Sequence, residues 1–255
     1  MSLVLRPNAS KPPPGSRVDW GNPINRGLEC WWPFLEGQGG GSNVTVAEIA
    51  QSGALMDRGP FTGWRSSPGS QWGPEVAIES GASALATILG HPALNPPDQV
   101  TIFMRVRIEV EANTSQHCLW QKSYTSASAP YYQQFMGWVG TTHASAPGAF
   151  TGGITVAGTR YAVTSPNNMV QSFETGGTLA ITYDGSAVRL YVNGVEEATN
   201  SASGSLSSYA TDVGIFNEVS GFNNDNTEGG LEDLRFWSRA LSAEEIADLH
   251  ANPYG

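Results

Sequence analysis

Three groups of side chains in this sequence stand at spacings that could carry chemistry. The first is Glu109 and Glu111, which share a face if IEVE is a strand. Retaining glycoside hydrolysis needs two carboxyl groups about 5–5.5 Å apart. The segment runs straight into the loop EANTS, so a solvated strand end is expected and no residue is expected to be catalytic. The second group is the loop NNDNTEGGLED. Asn223, Asn224, Asp225, Asn226, Glu228 and Asp233 offer hard oxygen ligands beside glycines, a composition that suits Ca²⁺ without the spacing of an EF-hand. The competing expectation is a polar turn whose Asn and Asp bond their own backbone. The third group is PYYQQFMGW, where Tyr131, Tyr132, Gln134 and Trp138 could form a flat apolar platform with an amide at its edge, the composition of a glycan site. Tyr and Trp are also favoured in strand cores and edges, so packing is the alternative.

Other reactive residues have weaker contexts. His91, His117, His143 and His250 stand in no recognisable catalytic context, no G-x-S-x-G elbow occurs, and no two His or Cys fall at zinc-ligand spacing. Core or surface roles are expected for them. Cys30 and Cys118 pair only if the fold joins them; two buried thiols is the plainer expectation.

The elements that must position these residues are short strands. Only 14% of residues are charged, while 30 are Gly and 16 are Pro, which favours many turns over helices. The net charge of −10 repels phosphate backbones, so nucleic acid is not an expected partner. No run of about 18 apolar residues is present, so no membrane-spanning helix is expected. The opening MSLVLRPNAS has too short an apolar run for a secretion signal, which implies synthesis in a host cytoplasm without export by that route.

Residues 1–25 read as an extended arm, because Pro12, Pro13 and Pro14 impose a polyproline path without internal hydrogen bonds. Arg6, Pro7, Arg17 and Trp20 on the same arm make it a candidate partner-binding segment, held by its own body or, as the favoured expectation, by a neighbouring subunit. The body is expected over 26–255. In VTIFMRVRIEVE, apolar residues alternate from Val100 to Val110, which predicts a strand with one face on the core and the other solvated. TLAITYDGSAVRLYVNGVEEAT predicts a three-stranded meander with turns at Asp184-Gly185 and Asn193-Gly194. LSAEEIADLH predicts a helix with Ser242 as N-cap, Glu245 completing a capping box, Leu241 and Ile246 as a staple, and Asn252-Pro253 as the stop.

Four segments give the body a resemblance to bacterial laminin-G-like, concanavalin-A-like jelly-roll domains: RGLECWWPFLEGQGG, VTIFMRVRIE, TLAITYDGSAVRLYVNGVEEAT and GGLEDLRFWSRALSAEEIADL. The resemblance implies an all-β fold: an antiparallel two-sheet jelly-roll sandwich with neighbouring termini, one short C-terminal helix and, here, the N-terminal arm. It implies Trp31 and Trp237 in the core. It also implies a calcium loop in which Glu36 and Glu48 stand where Asp is common, and a catalytic strand with a central Asp that IEVE lacks. Such domains serve as carbohydrate-binding, adhesion and phage-particle modules. The resulting expectation is a non-catalytic virion surface protein, such as a capsid decoration or tail-associated protein. Its arm would anchor it to other virion proteins or to its own copies, with a trimer as the guess, and its body could reach cell-surface glycans. A lectin-like carbohydrate-binding module is the alternative, and a glycoside hydrolase a distant third.

Overall fold

The structure is a computed structural model that describes residues 16–34, 45, 46, 48–57, 62–65, 75–78, 86–110, 115–123, 132–217 and 227–254. The strands are β1 (Leu28–Trp32), β2 (Thr45–Val46), β3 (Met56–Asp57), β4 (Thr62–Arg65), β5 (Glu75–Ile78), β6 (Ala86–Ile88), β7 (Val100–Ile108) and β8 (Gln116–Ser123). They continue with β9 (Tyr132–Val139), β10 (Phe150–Val156), β11 (Thr159–Thr164), β12 (Gly177–Tyr183), β13 (Ala187–Val192), β14 (Val195–Ser201), β15 (Val213–Ile215) and β16 (Gly229–Trp237), before helix α1 (Ala243–Ala251). All pairings are antiparallel. One sheet runs β14-β13-β12-β7-β16-β5-β4, with β1 on the β5 edge of β16; the other runs β11-β10-β9-β8-β15-β6-β3-β2.

Period-two alternation builds the core. Val100, Ile102, Met104, Val106 and Ile108 of β7 face Trp120, Met136, Trp138 and Ile154 of the second sheet in one buried cluster. Gly152 leaves room for the facing sheet, since a Cβ there would sit 2.8 Å from Ile181 Cδ1. The meander forms as its turns predict: Asn193 (φ 50°) and Gly194 (φ 82°) join β13 to β14 in the left-handed region that a two-residue hairpin requires. At the other turn only Gly185 has positive φ. Asp184 acts through its side chain instead, Oδ1 accepting from the Ser186 and Ala187 amides and the Ser186 hydroxyl.

The solvated face expected for β7 is a correction. Thr101, Phe103 and Arg105 are buried as fully as the core-facing residues and Arg107 nearly so, because this outer face carries a second apolar layer. Phe103, Ala180, Tyr191 and Trp237 of the sheet pack there with Leu241, Ile246 and Leu249 of the helical end, and with Val18 and Trp31. Helix α1 forms with the expected capping box at Ser242 and Glu245. Trp31 and Trp237 are both buried, as implied, and both belong to this outer layer rather than to the cluster between the sheets. Residues 1–15 lie outside the described residues, but from Ser16 to Arg26 the chain is a strap seated on the body. Val18 and Asn25 are buried, the Trp237 indole donates to Ile24 O (2.9 Å) and Arg239 Nε donates to Arg26 O (2.7 Å). Cys30 and Cys118 are both free buried thiols, and burial pushes the Cys30 thiol up to about 12.

Candidate functional site

The sequence platform does not form as one surface. Strand alternation turns Gln134 and Trp138 inward with Met136. Gln134 is buried and accepts from Trp120 Nε1 (3.3 Å), while Trp138 is fully buried and stacked on His117 at 4.0 Å. No sugar can lie on either. Tyr131 lies outside the described residues. Tyr132 stands apart, at the start of β9 beside a register shift between Lys122 and Ser123. Its ring lies on the outer face of the second sheet, 5.0 Å from Phe135, with Arg160 5.1 Å above it.

The predicted calcium ligands are likewise dispersed. Asn223, Asn224, Asp225 and Asn226 lie outside the described residues. Asp233 is not in the loop but inside β16, fully buried and ion-paired to Arg235. Glu228 precedes the strand, where its carbonyl accepts from Glu109 N (2.9 Å). Glu36 lies outside the described residues. Glu48 is saturated: Oε1 accepts from the Trp31 and Ala50 amides, Oε2 from the amide and hydroxyl of Ser52. A carboxylate clamped by that many donors fixes a turn against β1 and does not face a cation. Among the described residues no three His, Cys, Asp or Glu side chains converge as metal ligands. Glu109 pairs with Arg107 (3.2 Å) at the exposed strand end, and Glu111 lies outside the described residues.

The histidines have local partners. His91 Nδ1 accepts from the Ala93 amide, and His250 Nδ1 lies 2.9 Å from Thr178 Oγ1. Arg6, Pro7, Pro12, Pro13 and Pro14 lie outside the described residues. Arg17 is exposed at the edge of a cleft, and Trp20 is 53% exposed on the same strap.

That cleft, of about 270 Å³, is the site the sequence did not announce. The strap forms one wall through Arg17, Asp19, Asn22 and Asn25; the end of α1 and the residues after it form the other through Asp248, Asn252 and Tyr254. Trp31 and Arg235 form the floor. These two face each other because β1 pairs with β16 in the register Trp31↔Arg235. The guanidinium carbon of Arg235 lies 3.9 Å from the Trp31 ring centre and 5.6 Å from that of Tyr254, and the two rings are parallel to within 9°. Asp233 locks the floor. Its Oδ1 accepts from Trp31 Nε1 (2.7 Å) and its Oδ2 from Arg235 Nε (2.9 Å). Arg235 Nη2 also donates to Pro253 O, which ties the C-terminal wall to the sheet.

Burial pushes the Tyr254 phenol far above its ordinary range, with the Asp233 charge adding to the effect, so it remains a protonated donor. Its hydroxyl is buried and has no hydrogen-bond partner among the described residues. A buried donor in that state costs about 1–3 kcal/mol until something accepts from it. A second groove, of about 360 Å³, lies on the other side of α1 beside Arg105, Thr178, Asn193 and His250. Its polar groups already bond one another and the helix end: Thr178 N donates to Asn193 Oδ1, and Arg105 to the Leu249 and His250 carbonyls. Sequence reasoning missed the first cleft because its parts are far apart in the chain. The available signal was the alternation Asp233, Arg235, Trp237, Arg239, which places polar side chains on a face that the next segment covers.

Solved structures of the same architecture are numerous. The binding domain of Paraclostridial Mosquitocidal Protein 1 superposes with a TM-score of 0.67 at 11% identity, over 89% of this chain and 52% of that one. Domain 4 of AbnA, a GH43 extracellular arabinanase from Geobacillus stearothermophilus solved with arabinotriose, gives 0.58 at 13%, over 88% and 98%. The ligand-binding domain of botulinum neurotoxin serotype D, solved with N-acetylneuraminic acid, gives 0.62 at 10%, over 89% and 51%. The chain thus spans about half the length of the toxin domains it matches. No curated protein sequence matches it. The sequence model of the Concanavalin A-like lectin/glucanases superfamily matches residues 87–247, from β6 into α1. With two antiparallel sheets, the capped closing helix and a match over more than half its length, the chain belongs to the concanavalin A-like lectin/glucanase superfamily.

Proposed function

We propose that this protein is a non-catalytic glycan-binding protein and that the cleft between strap and C-terminus holds the sugar. Tyr254 carries the reading: its ring lies parallel to that of Trp31 at the cleft, set among amide and carboxylate side chains. Sugars present that complement, an apolar ring face with hydroxyls around it. Fold neighbours solved with arabinotriose and with N-acetylneuraminic acid support the class of ligand. Catalysis is disfavoured, because a general acid needs burial to keep its proton at neutral pH. The two carboxylates of the cleft, Asp19 and Asp248, are exposed and each accepts a hydrogen bond at its rim.

A glycan array followed by calorimetry tests this. Tyr254→Phe, which keeps the ring, should leave binding nearly unchanged. Tyr254→Ala should abolish it, with no reducing ends released by the wild type. Full affinity in the alanine variant would remove the cleft from consideration.

A second reading, a virion surface protein anchored through its arm to virion proteins or to its own copies, is favoured by the way the body grips the strap. Any partner contact made by residues 1–15 is transmitted to a fixed point at Ser16–Val18. Deleting residues 1–15 should abolish association with particles and leave glycan affinity intact. Unchanged association would end this reading.

A further inference from the structure

We infer that the cleft selects uncharged sugars and rejects acidic ones, an inference that rests on the glycan-binding reading. The charges in its walls decide this. Recognition of a sugar carboxylate needs a donor cation with free capacity, best a bidentate arginine. The arginine at the floor, Arg235, is already engaged: Asp233 takes its Nε and Nη2, and the Pro253 carbonyl takes Nη2 as well. Its charge is therefore neutralised inside the protein. Above the floor Arg17 is the one cation of the described lining, and it stands against Asp19 and Asp248. The lining is thus left with a net negative charge, in a chain whose own net charge is −10.

A carboxylate entering here would approach two like charges with only Arg17, exposed at the rim, to offset them. A neutral sugar fits the same groups. Asp19 and Asp248 accept from hydroxyls, Asn252 offers an amide at the opposite rim from Asn22, and Tyr254 offers its ring. The volume, about 270 Å³, lies below the ~300–1,000 Å³ of drug-sized pockets, so one sugar ring occupies the floor at a time.

The test uses matched pairs on the full chain. Neutral oligosaccharides such as arabinotriose and lactose are titrated beside sialyllactose and digalacturonate, and each acid also as its methyl ester. At 0.05 M salt at least one neutral glycan binds, and acids bind roughly tenfold or more weaker than their esters. The gap narrows at 1 M salt, where the screening length is about 3 Å, and in Asp19→Asn/Asp248→Asn. An acid that binds as tightly as its ester overturns the selectivity while leaving glycan binding intact. Neutral binding that is insensitive to both Tyr254→Ala and the double asparagine variant overturns the inference by placing the site elsewhere. If no neutral or acidic glycan binds at millimolar concentration, the glycan reading falls and this inference with it.

Discussion

Asp233 shows what a single side chain sets in place. It holds the Trp31 indole and the Arg235 guanidinium at once, fully buried, under the cleft. Removing one member of a buried ion pair leaves the other charge without compensation, which costs about 3–5 kcal/mol. Asp233→Ala should lose that much in urea denaturation, with Arg235→Met/Asp233→Leu recovering part of it. The sequence offered Asp233 as a calcium ligand because it follows a Gly-flanked acidic loop; composition could not tell a loop acid from one turned onto a covered strand face.

Lys122 is a second buried charge. Burial lowers its ammonium to about 8, offset in part by Asp212, and Nζ donates to the Tyr209 and Thr211 carbonyls. Between about 8 and the ordinary ~10.4 the unfolded chain binds more protons at this site, so stability should rise with pH across that window. Lys122→Met should flatten the rise.

At the scale of elements, the C-terminal helix is the piece most open to test. Ser242→Ala removes the cap and should cost about 1 kcal/mol. His250, near the helix end, has its imidazole pushed below its ordinary value by burial and then by Arg105. The folded state thus favours the neutral ring, and its stability should fall as pH drops through ~6.5, because the unfolded chain takes the proton first. His250→Gln should shrink that acid loss in thermal scans at pH 5 and pH 7.5. The helix, its cap and the meander were legible from sequence because each is specified locally, by Ser242-x-x-Glu245, Asn193-Gly194 and period two. The double burial of β7 was not legible. Arg105 and Arg107 read as solvent-facing, and the helix end that receives Arg105 lies far along the chain.

For the whole molecule, the strap is the part whose removal separates fold from site. A chain lacking residues 1–26 should lose Val18, the bond from Trp237 to Ile24 and one wall of the cleft, and melt lower with no glycan affinity. Alternation and turn chemistry marked the strands, and the resemblance to laminin-G-like domains implied their stacking into two sheets. Neither marked the cleft, because it joins residues near 20, 31, 235 and 254, and only tertiary pairing sets those side by side.

The chain enters and leaves the body across that one cleft, with Arg17 on one bank and Tyr254 on the other. A pull applied through the two ends would therefore prise the banks apart and peel strap and helix from the sheet bond by bond, instead of shearing many strands together. A sugar bridging the banks would act as a rivet: it raises the force at which the seam opens and is let go once the seam gives. Optical-tweezer traces with handles at residues 16 and 254 should show a low-force opening step that shifts upward with bound glycan, ahead of the rupture of the sandwich.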